Sequence, residues 1–192
     1  MYKRQEHGLS QNGAVKYLSL LKKVVNRAVA NNKIAFNPFA SYKLERQEVS
    51  PDFLNEDELR RIINFNSPLP RLERTRDMFS FACYTGLSYI DVKTLKVEHL
   101  ERDNQGRMWI KKKRVKTGVL ARIPLLPNAK MLIDKYAGGD TLMPIYSDKD
   151  INLYLKDIAI LCHIDKRITY HTASHSVFSF FLKINSLQNI PV

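Results

Sequence analysis

Cysteine is nearly absent from this chain: Cys83 and Cys162 are the only two in 192 residues. Each lies in an apolar, helix-like run, so buried free thiols are expected and a disulfide framework is excluded. Long apolar runs are missing as well. None approaches ~18 residues, which excludes a helical membrane span, and no secretory leader opens the sequence. The expectation is a soluble, cytoplasmic protein with no membrane partner. Acidic residues are scarce, 19 against 31 Lys and Arg, for a net charge of +12. Such a balance favours a polyanionic partner, nucleic acid first among them. No repeat, low-complexity segment or His-Glu-x-x-His pattern occurs, so neither a metal nor a cofactor is expected.

The charge that is present is uneven. Residues 1–46 hold nine Lys or Arg and two Glu, over half of the net charge in a quarter of the chain. The spacing of Val15, Leu18, Leu21, Val24, Val25 and Ala28 predicts a helix over 12–31. Lys16, Lys22, Lys23 and Arg27 occupy its other faces and are candidate phosphate contacts. An amphipathic helix cannot bury its own stripe, so this region reads as part of a larger helical module. Residues 42–51 read as a linker.

A second domain is expected from residue 47 to 192. Asn55 followed by Glu58 predicts a capped helix to about Phe65. Residues 72–84 read as a helix closed by Gly86, and 88–95 as a shorter one. Residues 107–111 and 121–125 read as strands flanking a turn at 116–118, with Pro124 marking an edge. Further helices are expected at 128–136, at 147–162 behind a Ser147 cap, and from His171 onward. The fold class is mainly α with one small antiparallel β-sheet (α+β). Lys111, Lys112, Lys113, Arg114 and Lys116 crowd the expected hairpin tip and suit DNA phosphate. Trp109 is expected in the core.

Several pieces share an order found in one family. Tyr84-Thr85-Gly86-Leu87, Arg114-Val115-Lys116-Thr117-Gly118, Ile123-Pro124-Leu125 and His171-Thr172-Ala173-Ser174-His175 together resemble tyrosine recombinases (phage integrases). The wording Thr85-Gly86-Leu87-Ser88-Tyr89-Ile90-Asp91 is most like integrases of Bacteroides-type mobile elements. The resemblance implies a catalytic domain over 47–192, preceded at 1–46 by part of a helical core-binding domain, with truncation at both ends. It implies attack of a tyrosine on a DNA phosphodiester, metal-free, giving a 3′-phosphotyrosyl link that a second DNA end reverses.

That chemistry places negative charge on non-bridging oxygens, where forked guanidinium donors serve best. The resemblance implies that Lys116 is the general acid and that His171 and His175 are the histidines of a His-x-x-Arg-His box. Asp91 matches an acidic structural position. Ser88 and Ser174 stand where the family carries arginines, and none of the nine tyrosines follows His171. The expected protein binds double-stranded DNA, as a homo-oligomer or beside an intact integrase, and is catalytically impaired. The alternative is a non-catalytic remnant that occupies recombination sites or interferes with an intact integrase. A metal-free nuclease built on His171 and His175 ranks last.

Overall fold

The computed structural model describes residues 8–48, 53–139 and 141–173. Contacts divide the chain into two units, residues 1–50 and 51–192.

The first unit is built on α1 (Gln11–Ala30), whose N-cap Ser10 accepts the Gly13 N–H. The segment after it runs back along the helix. Asn12 makes a paired amide contact with the Gln47 backbone, and the Lys22 Nζ donates to the Tyr42 carbonyl at 3.0 Å. Among α1 residues only Val15 is buried; Leu20, Leu21 and Val24 of the apolar stripe and its border are exposed among the described residues.

The second unit holds α2 (Glu56–Ile63), α3 (Pro70–Thr85), α4 (Tyr89–Lys93), β1 (Leu100–Arg102), β2 (Met108–Lys113), β3 (Leu120–Pro124), α5 (Pro127–Lys135) and α6 (Asp148–Leu161). The three strands form an antiparallel meander in the order β1-β2-β3. The fold is thus mainly helical with one small antiparallel sheet.

Local chemistry sets the boundaries. Asn55 and Glu58 satisfy each other's backbone N–H groups as a capping box at the start of α2. Pro70 opens α3 at a position that needs no N–H donor. Gly86 closes it with φ +64, a left-handed conformation that favours glycine. Ser147 caps α6.

Helix α3 is the axis of the unit. Phe79, Phe81, Ala82 and Cys83 are fully buried on successive faces, and α2, α5 and α6 pack around them. From Asp77 to Thr85 every residue of the helix is buried, so this half lies at the centre of the bundle. Ile110 brings the sheet to the same core. Both cysteines are free and buried, and burial pushes each thiol above its usual range.

Two features differ from the sequence reading. Strand β1 was not expected; at three residues, two of them charged, it carries no readable alternation. Trp109 is not in the core: β2 alternates, so Met108, Ile110 and Lys112 face inward while Trp109, Lys111 and Lys113 face out. Its ring lies half-buried on the outer face, with the Arg122 guanidinium 4.5 Å from its centroid.

Candidate DNA-handling site

The site is assembled from three segments far apart in sequence. The first is the corner where α3 ends and α4 begins. Ser88, the residue before α4, donates its hydroxyl to the buried carboxylate of Asp91 at 2.7 Å. Asp91 is only 1% exposed and holds more than that one partner.

The second segment is the β2–β3 hairpin. Its turn is closed by Arg114 N–H to Val119 O and Gly118 N–H to Arg114 O, both at 2.8 Å, with Gly118 at φ +71. Asp91 Oδ1 accepts the Val115 backbone N–H at 2.8 Å, and Asp91 Oδ2 lies 3.9 Å from Arg114 Nη1. The same Nη1 donates to the Gly86 carbonyl at 3.2 Å. The corner and the hairpin tip are therefore tied at three points around one carboxylate. Arg114 delivers a guanidinium beside Ser88, which itself brings no charge. Lys116 follows Val115 in the turn, exposed and without an ion pair among the described residues.

The hairpin cluster is not the uniform crown of cations that the sequence suggested. Lys112 is buried (5% exposed), and its Nζ donates to the Thr94 carbonyl at 2.9 Å and lies 3.3 Å from His99 Nε2. Strand alternation turns it inward, so it belongs to the inner face and not to the phosphate-facing set. Lys111 pairs with Glu101 at 3.2 Å. Its cross-strand partner is Arg122, which takes the same carboxylate at 3.0 Å. Two cations directly opposite each other are destabilising, and Glu101 offsets that repulsion. Lys113 is exposed.

The third segment is the short helical stretch at 170–173, where His171 is exposed. Tyr170 beside it is buried, with its hydroxyl 3.4 Å from the Met78 carbonyl and its ring edge-on to Tyr89 at 5.8 Å. Tyr89 follows Ser88, so this aromatic contact joins the segment of His171 to the segment of Ser88. Burial, with Cys83 and Tyr89 nearby, pushes the Tyr170 hydroxyl far above its ordinary range, the opposite of what a nucleophile needs. Ser174 and His175 lie outside the described residues.

In the first unit, Lys16, Lys23 and Arg27 are exposed at spacings of seven and four, hence on one helical face. Lys22 is engaged with Tyr42. Among the described residues no three His, Cys, Asp or Glu side chains converge on a metal position, and no helix is long and apolar enough to cross a membrane.

The sequence reading missed the roles of His99 and Thr94 as supports of β2, and of Gly86 as an acceptor for Arg114. The inward turn of Lys112 was available from β periodicity. The His99 contact had no sequence signal.

The class that this fold defines is visible in comparisons. Residues 1–44 match the phage integrase SAM-like domain family. The chain superposes on a lambda integrase dimer bound to a COC′ core site with TM-score 0.76 and 20% identity, over 95% of this chain and 55% of that one. The Tn1549 transposon integrase in complex with circular intermediate DNA gives 0.73 at 16% identity, over 97% and 73%. The XerH site-specific recombinase on palindromic difH, a post-cleavage complex, gives 0.71 at 15% identity, over 98% and 60%. The chain thus spans little more than half the length of the lambda protein. No curated protein matches the sequence significantly.

Proposed function

We propose that this chain is a DNA-binding recombination protein of the tyrosine recombinase type, from an integrase of a Bacteroides-type mobile element. The observation that carries the reading is the Asp91 corner. A buried carboxylate fixes the Lys116 turn and the Arg114 guanidinium against Ser88, on a fold whose solved relatives hold DNA. Residues 1–46 are read as core-binding module and 47–192 as catalytic domain. The partner is double-stranded DNA, met in the cytoplasm by a homo-oligomer or together with an intact integrase; the lambda relatives are seen as a dimer and a tetramer on DNA.

In this reading Lys116 protonates the leaving 5′-oxygen, and His171 and His175 add donors at the phosphate. Arg114 supplies the guanidinium that Ser88 lacks. Ser174 stands where the family's second arginine belongs. Losing a forked donor at the phosphorane costs on the order of 10²–10³ in rate. These 192 residues also contain no tyrosine beyond Tyr170. Ser174 favours the second reading, a remnant that binds DNA, occupies recombination sites and interferes with an intact integrase.

Mobility shift on duplex DNA across a salt series tests binding; the shift is expected to weaken steeply with salt. A nicked suicide substrate tests chemistry. Covalent trapping of the purified chain would overturn the claim of impairment, and absence of any duplex binding would overturn the reading as a whole.

A further inference from the structure

The outward face of the sheet carries an arrangement that the proposed cleavage chemistry does not use. Arg122 and Arg107 approach the Trp109 ring, their guanidinium carbons 4.5 and 5.8 Å from its centroid. Each is pinned through Nε alone: Arg122 to Glu101 at 3.0 Å and Arg107 to Asp103 at 2.8 Å. Among the described residues the terminal Nη groups of both have no acceptor. Both side chains line one open cavity of about 420 Å³, with Arg102, Asn104, Gln105 and Trp109 in its wall.

The two carboxylates do not spoil the cavity for an anion. Asp103 is saturated by the Trp109 Nε1–H at 3.0 Å, by Arg107, and by the backbone N–H groups of Gln105 and Arg107. Those donors, Trp109 foremost, hold its carboxyl well below the usual range against a smaller opposing effect of burial. Glu101 is shared by Arg122 and Lys111. Three cations (Arg107, Lys111 and Arg122) surround two neutralised acids.

A guanidinium whose Nε is fixed and whose plane meets an aromatic ring has lost most of its freedom before a ligand arrives, and its two Nη donors match two oxygens of a phosphate. We infer that the outer face of the sheet is a second phosphate-binding site, in which Arg107 and Arg122 grip a backbone phosphodiester of the DNA whose neighbouring phosphates meet Lys111, Lys113 and the hairpin tip. Continuity favours DNA over a free anion. Lys113, Lys111 and Trp109 follow one another along the outward face of β2, about 13 Å from first to last. The inference rests on the DNA-binding reading above and adds to it a contact away from the reacting phosphate.

Trp109 is the only tryptophan in the chain, so its emission reports on this site alone. The experiment compares the full chain with Arg107→Gln/Arg122→Gln, checking by circular dichroism and thermal melting that the variant is folded. Duplex DNA is expected to change Trp109 emission in the wild type and not in the variant. The salt slope of duplex binding is expected to fall by about 1–2 in the variant. Arg107→Lys/Arg122→Lys keeps the charge but not the fork, and is expected to retain the slope while binding more weakly at fixed salt. Duplex binding with unchanged slope in the folded glutamine variant would overturn this inference and leave the general reading intact. A wild type that binds no duplex would overturn both. An emission change with inorganic phosphate but none with duplex would overturn the assignment to DNA.

Discussion

The carboxylate of Asp91 accepts the backbone N–H of Val115 at 2.8 Å, one residue before Lys116. A buried side chain on α4 thereby sets the position of a turn 24 residues away, and the exposed lysine inherits that position without being held itself.

Asp91→Ala leaves the part-buried Val115 N–H and Ser88 hydroxyl without their acceptor. The expected loss of stability is about 3 kcal/mol, read from denaturant midpoints, with faster hydrogen exchange at the Val115 amide. Asp91→Asn keeps one acceptor and is expected to lose less. A variant with the exchange rate of the wild type would show that the hairpin is fixed elsewhere.

Lys116→Ala removes an exposed cation with no ion pair among the described residues. Its melting temperature is expected to stay close to that of the wild type, while the salt slope of duplex binding drops by about 1. A stability change larger than about 0.5 kcal/mol would mean that the side chain has a structural partner.

Tyr170→Phe removes a hydroxyl whose contact with Met78 is long, at 3.4 Å. The expected cost is about 1 kcal/mol or less. Neither wild type nor variant is expected to give a covalent adduct with a nicked substrate. An adduct lost specifically in the variant would make Tyr170 the nucleophile.

Glu58 gives a dependence on acidity. Burial pushes its carboxyl up, but the Lys166 ammonium at 2.7 Å and the Asn55 N–H together hold it below the ordinary range. A depressed folded value means that its stabilisation is fully present above the unfolded carboxylate value of ~4.3 and is lost as pH falls through the lower folded value. Thermal melts between about pH 6 and 3 are expected to show that loss, and Glu58→Gln to flatten part of it. Equal slopes in the two proteins would remove Glu58 from the account.

Gly86→Ala forces a side chain into the left-handed region at φ +64. A destabilisation of about 1–2 kcal/mol is expected from chemical denaturation.

Helix ends were the most legible part of the sequence, because caps act within four residues. Asn55 with Glu58, Gly86, and Ser147 with Asp150 each marked a boundary that the fold keeps to within a residue or two. The helical and hairpin pattern matched the elements around Ser88 and Lys116, and the helix expected from His171 onward lies outside the described residues beyond 173; the family resemblance singled those residues out. What stayed hidden depended on through-space partners. The Lys111–Arg114 run read as one cationic block, yet strand alternation turns Lys112 inward to Thr94 and His99. Trp109 read as core, but its surroundings come from Arg122 on another strand and Asp103 in a loop. Strand β1 exists only because β2 offers it an edge.

The two joints of the corner close over very different stretches of chain. Asp91 meets Val115 across 24 residues, whereas Tyr89 meets Tyr170 across 81. Closing the shorter loop costs less chain entropy. On a ribosome, the hairpin half can dock as soon as residue 124 has emerged, while the histidine half waits for nearly fifty residues more. A nascent chain therefore sets its Lys116 turn against the Ser88 corner before residues 170–173 can join them, and translation itself orders the assembly.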